Sequence, residues 1–170
     1  MKLLCVFTLV LCVFAACSKN DDDNTTINYT DSYFMQQASY SNNAEISAGA
    51  IAASRGSYDS VRMFGSMMVA DHGKAEFSLD SLASSLSITI PLTPDSAHQA
   101  MAAYRQTLSG HMFDTAYINA QVKDHMTTIA LFQQELSDGN NQQIKDYANK
   151  NLPVIQMHLQ EAQSIQQTIQ

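Results

Sequence analysis

From residue 29 onward, apolar residues recur every three or four positions over stretches of about 25 residues. That is the period at which one face of an α-helix meets a core. The pattern predicts a first helix from an N-cap at Asp31 to the Arg55-Gly56-Ser57 turn, with Phe34, Ala38, Glu45, Ala48 and Ala52 on one stripe. A second helix, 57–86, carries Val61, Phe64, Met68, His72, Ala75, Leu79, Leu82 and Leu86 at spacings of three and four. Pro91 and Pro94 end it in a loop, and Asp95 caps a shorter helix through Ala100, Met101, Tyr104 and Leu108. Ser109-Gly110 breaks the period before a long helix, 112–137, with Ile118, Val122, His125, Ile129, Phe132 and Leu136 in register. Asp138-Gly139-Asn140 is the next turn. The last helix runs from 141 to the C-terminus with Ile155, His158, Ala162, Ile165 and Ile169 inward and Pro153 at a kink or restart. Four segments of this length, some 38 Å each at 1.5 Å per residue, predict an all-α domain over 30–170. Its architecture is an antiparallel four-helix bundle with one additional short helix. The run 87–90 is the one β-like stretch, and a single strand has nothing to pair with.

The N-terminus follows different rules. Lys2 precedes a continuous apolar run to Ala16, too short for the ~20 residues of a spanning helix and suited to an export signal, 1–16. It ends Phe14-Ala15-Ala16-Cys17, which resembles a bacterial lipobox with Phe where Leu is commoner. Cys17 then becomes the lipid-modified first residue; an ordinary secretory signal is the alternative. Cys5 and Cys12 leave with the signal, so no intrachain disulfide can form. Residues 17–29 are polar, aperiodic and acidic through Asp21-Asp22-Asp23, and read as a disordered tether. The expectation is a lipoprotein of the Gram-negative cell envelope, held to the outer membrane by lipid and facing periplasm or cell surface.

Composition excludes more than it identifies. Nine Lys plus Arg against 16 Asp plus Glu give a net charge of −7, which argues against nucleic acid as a partner. No phosphate-binding glycine loop, Cys-x-x-Cys, Gly-x-Ser-x-Gly or His-Glu-x-x-His occurs, so hydrolase, kinase and dithiol readings have no anchor.

The candidate chemistry lies in polar groups on apolar stripes, where burial without a partner costs roughly 1 to 3 kcal/mol. Glu45, His72, His125 and His158 each stand on the core-facing stripe of a different long helix, so one layer of the bundle can gather all four. Imidazole and carboxylate suit Zn or Fe, and less readily Cu. Asp71, Asp124, Glu76 and Glu161 are the carboxylates available behind such ligands. Met63, Met67, Met68, Met126 and Met157 lie near the histidines in sequence, but only Met68 shares a stripe with His72, and methionine is commonly core filler. His98 and His111 fall near helix starts and are read as surface residues.

Several of these residues occur in a recognisable order. The Asp31–Phe34 opening, Glu45, Met67-Met68-Val69-Ala70-Asp71-His72-Gly73-Lys74, and Ser109-Gly110 before Phe113-Asp114-Thr115-Ala116-Tyr117 come first. Val122-Lys123-Asp124-His125 and Asn151-Leu152-Pro153 before His158-Leu159 follow. Together they resemble the bacterial family called domain of unknown function 4142, over nearly all of 29–170. The resemblance implies a ferritin-like bundle, export, and an outer-membrane or lipoprotein setting, without an established activity. Ferritin-like di-iron proteins carry Glu on two helices and Glu-x-x-His on the other two; here Asp-His occurs twice and His158 stands three residues before Glu161.

Three functional readings follow. The first is a metal-binding storage, buffering or stress-protection protein using Glu45, His72, His125 and His158. The second is a non-enzymatic binding or structural module whose polar layer only sets helix register. The third, a di-metal redox enzyme, needs at least four inward carboxylates from Glu45, Asp71, Glu76, Asp124 and Glu161.

Overall fold

The computed structural model describes residues 25–169; the expected signal, Cys17 and most of the tether lie outside them. The described residues form five helices and no strand: α1 (Tyr29–Arg55), α2 (Asp59–Leu86), α3 (Ser96–Gln106), α4 (Gly110–Asp138) and α5 (Gln142–Ile169). None is long and apolar enough to cross a membrane. The long helices pack in the cyclic order α1, α2, α5, α4, each antiparallel to both neighbours.

A long crossover gives the bundle its topology. α2 ends beside the start of α1, so the chain must travel the length of the bundle to begin α4, and residues 87–109 with α3 make that journey. One such crossover characterises ferritin-like bundles. It is tied down at both ends. Ser39 donates to the Pro91 carbonyl at 2.6 Å, and Arg55 donates to the carbonyls of Gln106 and Leu108 at 3.1 and 2.8 Å. Gly110, at φ +59, turns the chain into α4 where a side chain would be strained. α1 and α2 approach closely through Gly49 and Gly65: a Cβ on Gly65 would lie 2.6 Å from the Gly49 carbonyl oxygen.

Helix boundaries follow local chemistry and correct two expectations. α1 starts two residues before Asp31, with Asn28 as N-cap. Asp31 sits at the third helical position and completes a capping box, its carboxylate accepting from the Asn28 N–H at 2.7 Å while its own N–H donates to Asn28 Oδ1 at 2.9 Å. The last residues of the expected tether are also bound: Asn140 donates to the Thr26 carbonyl and Asn141 to that of Thr25. At Pro153 α5 continues without restarting. The proline stands on the exposed side, where the carbonyl of Asn149 loses its helical donor toward solvent.

The core is two apolar clusters with a polar layer between them. Near the α1–α2 turn, Phe64, Met68, Phe113, Tyr117, Ile118 and Ile165 pack together. At the other end Phe34, Met35, Leu79, Phe132, Ile144 and Ile155 do the same, with Phe34 and Phe132 edge to face at 4.8 Å.

The start of α1 and the α4–α5 turn meet at a buried carboxyl pair. Asp31 also accepts from the backbone N–H groups of Asn140 and Asn141 at 3.0 and 3.1 Å. Glu135 lies fully buried beside it, and burial together with the Asp31 carboxyl pushes Glu135 up to about 8. Because its folded value exceeds the ordinary 4.5, the stability it contributes is complete below about 4.5 and is lost as pH rises through about 8. Glu135→Gln should remove this term. Between pH 5 and 8.5 the urea midpoint of the wild type should therefore fall relative to that of Glu135→Gln; parallel midpoints would contradict the assignment.

Candidate metal centre

Three histidines from three helices meet in the polar layer. His72 of α2, His125 of α4 and His158 of α5 have ring centroids 5.4, 5.5 and 5.8 Å apart, and all three are buried. One nitrogen of each lies within 4.8 Å of the others. Nitrogens so spaced leave a point within about 2.8 Å of all three, so ring shifts of under about 1 Å bring them to the ~2.1 Å of a metal–imidazole bond.

Each ring uses its other nitrogen on the protein. His72 Nδ1 meets Asn42 Oδ1 at 3.0 Å, His125 Nδ1 meets the Gln121 carbonyl at 2.9 Å, and His158 Nε2 meets Asp71 Oδ2 at 3.3 Å. All three partners are acceptors, so each of these nitrogens carries the proton and donates. The remaining nitrogens, His72 Nε2, His125 Nε2 and His158 Nδ1, are buried lone pairs without a hydrogen-bond partner. A ring fixed by an outward N–H bond with its other nitrogen free is the usual arrangement of a metal-ligating histidine.

Burial also keeps the rings neutral. It pushes His72 well below its ordinary value, with the neighbouring histidines adding to the shift. It lowers His125 to about 4, against the Gln121 carbonyl, which favours the protonated form. His158 is lowered by burial and by His125, with Asp71 opposing.

Behind the rings lies a hydrogen-bonded scaffold. Asn42 presents its oxygen to His72 because its amide nitrogen donates to Glu76 Oε2 at 2.9 Å and to the Tyr147 hydroxyl at 3.3 Å. Glu76 also accepts from Asn43 at 2.9 Å and has its Oε1 2.5 Å from the Ser39 hydroxyl, whose one proton goes to Pro91, and Tyr147 donates to the Ala75 carbonyl at 3.3 Å. A cavity of about 20 Å³, lined by His72, His158, Asp71, Asn42 and Tyr147, adjoins the histidines and has room for one water-sized occupant.

The carboxylates sort differently from expectation. Glu45 is buried in the same layer, but its oxygen lies 3.9 Å from His125 Nδ1, the nitrogen committed to Gln121. It accepts from Gln121 Nε2 at 2.7 Å, and burial raises it to about 7. Glu45 is therefore a neighbour of His125 and lies outside the group of three imidazole nitrogens, because helix α1 turns it toward the far side of that ring. Asp71 bonds His158, and Glu76 acts one step further out through Asn42. Asp124 lines a surface hollow with Lys123 and His98 and acts on His125 through its charge without a hydrogen bond, and Glu161 is exposed beside Met63 and Met157. Among the described residues, the four inward carboxylates of a di-metal centre do not assemble. Met68 packs in the apolar cluster, whereas Met63, Met126 and Met157 are exposed. His111 is exposed; His98 is half-buried and bonded to Asp95 at 2.7 Å.

A family model described as Domain of unknown function (DUF4142) matches residues 16–165. The chain belongs to the DUF4142 family. Among solved structures, the DUF4142 fold is similar to a crystal structure of a DUF305 fragment from Deinococcus radiodurans, with TM-score 0.74 and 10% identity over 84% of this chain and 98% of that one. At that identity the likeness is one of fold. No curated protein matches.

Asn42, Gln121 and Tyr147 were not among the expected site residues of this DUF4142 chain. Spacing carried a signal for two of them: Asn42 stands three residues before Glu45, and Gln121 four before His125, both on inward stripes. Asn42 is the joint of the scaffold. Asn42→Ala should cost at least about 2 kcal/mol in chemical denaturation, since it strands His72, Glu76 and Tyr147 at once; a loss below about 0.5 kcal/mol would show that the network does not hold the layer.

Proposed function

We propose that this protein binds one transition-metal ion per chain through His72 Nε2, His125 Nε2 and His158 Nδ1, and serves the cell envelope as a metal-holding protein. Storage, buffering or stress protection would be its role. The observation that carries this reading is the set of three buried lone pairs, each on a neutral ring held from behind. Three facing acceptors repel one another unless something positive lies between them, and each unfilled one costs about 1 to 3 kcal/mol. A divalent ion removes both penalties. Three nitrogen ligands with space for a small fourth suit Zn²⁺ or Fe²⁺ before Cu. When bound, such an ion supplies Lewis acidity at that open position. Asp71 and Asn42 orient the rings, and the apolar clusters above and below exclude water.

Metal analysis by mass spectrometry tests this directly. Protein purified without chelator or histidine tag should carry close to one ion per chain, and His72→Ala/His125→Ala less than a tenth of that. Apo protein given Zn²⁺ at about a hundred times its Kd should gain roughly 2.7 kcal/mol in stability. Wild-type protein that stays metal-free after anaerobic reconstitution with Fe, Zn, Mn and Cu would leave the histidines as residues that set helix register.

We further propose that Cys17 carries the lipid that anchors the protein to the outer membrane, on the strength of the Ala15-Ala16-Cys17 ending of an apolar leader. Cys17→Ser should move the protein from the membrane fraction to the soluble one and abolish labelling by a fatty-acid analogue. Unchanged membrane retention would refute the anchor.

A further inference from the structure

A second group of metal-ligating side chains lies on the surface of the bundle, across the seam between α2 and α5. Met63 and Met67 stand about one helical turn apart on α2, and Met157 and Glu161 about one turn apart on α5. The two helices are antiparallel neighbours, so the two pairs meet across the seam. Together with Ser60 and Phe64 they line a single hollow of about 410 Å³.

These methionines are not core filler. Met63 is 73% exposed and Met157 49%, whereas Met35 and Met68 are fully buried. A contiguous apolar patch left in water marks a binding surface, and here the chemistry of the patch narrows what it binds. Three of the six lining side chains are thioethers. A thioether is neutral and polarisable, and its unbranched stem has three rotatable bonds, so sulfurs from facing helices can be swung onto one point. No Lys or Arg lines the hollow, and the Glu161 carboxylate is the one charge on its wall.

Three soft neutral donors beside one carboxylate suit a soft monovalent cation, because the sulfurs supply the bonds and the carboxylate offsets the charge. Zn²⁺ and Fe²⁺ prefer the nitrogen and oxygen donors of the buried layer. The hollow and the histidines therefore select different ions.

We infer that Met63, Met67 and Met157 hold one Cu(I) ion at the protein surface, with Glu161 balancing its charge. The site is separate from the three buried imidazole nitrogens and stands whether or not they hold metal.

Anaerobic titration of the purified protein with Cu(I), in competition with a chromophoric Cu(I) chelator, tests the assignment. Wild type and His72→Ala/His125→Ala should each bind Cu(I) with a Kd of about 1 μM or tighter. Adding Met63→Leu/Met157→Leu to the histidine variant should weaken binding at least fivefold. The same two substitutions in wild type should leave its melting temperature within about 2 °C, since both side chains are exposed. X-ray absorption at the copper edge of the histidine variant should show sulfur neighbours. If that variant does not fold, the methionine substitutions and the copper edge are read in the wild-type background. The proposal is overturned if Cu(I) does not bind, or if binding is lost in a folded histidine variant. It is equally overturned by less than a fivefold change on replacing Met63 and Met157, or by a copper edge with nitrogen and oxygen neighbours alone.

Discussion

Three imidazole rings drawn from α2, α4 and α5 share one small volume in the interior of a helical bundle, and each must be neutral and held in a single tautomer to be there. Everything in the middle of the molecule serves that condition. Burial removes the proton that a ring would carry in water. The Asn42 oxygen, the Gln121 carbonyl and the Asp71 carboxylate each take one N–H, fixing which nitrogen remains free. Asn42 can do so only because Glu76 and Tyr147 fix the amide, so the constraint on one ring extends to Ser39 and from there to the Pro91 carbonyl of the crossover. The α2–α4 connection and the histidine layer are thereby coupled.

The same condition explains why the core is divided. A continuous apolar core would bury more hydrocarbon, yet the clusters around Phe64 and Phe34 are separated by a layer of polar side chains. Each cluster closes one end of that layer against water. This arrangement gives the lone pairs of His72, His125 and His158 a low-dielectric setting and leaves only a cavity for one small occupant. Bundles concentrate function in this way, from side chains projecting inward on facing helices.

Much of this was legible in the order of residues. The period of three and four located every long helix to within a few residues, and the histidines stood out because they occupied positions where their neighbours were Phe, Met and Ile. Periodicity fixes a residue's face but leaves the rotation of one helix against another undetermined. Glu45 therefore appeared equivalent to the histidines, although helix packing places it behind His125. Asp124 and Glu161 make no hydrogen bond to the rings for the plainer reason that a residue adjacent to or three from an inward position can still point away from it. The start of α1 was misplaced because Asp31, a good cap by type, is used at the third helical position to answer Asn28 and to hold the α4–α5 turn. Such a contact, between residues 109 and 110 positions apart, has no local signature.

X-ray absorption spectroscopy of the metal-loaded protein tests the central claim most directly, because it reads the donor atoms around the ion. The account predicts three imidazole nitrogens at ~2.0 to 2.1 Å, with outer-shell scattering from three rings and no sulfur in the coordination sphere. A sulfur shell, or fewer than two imidazoles, would place the ion elsewhere and contradict the assignment of His72, His125 and His158 as its ligands.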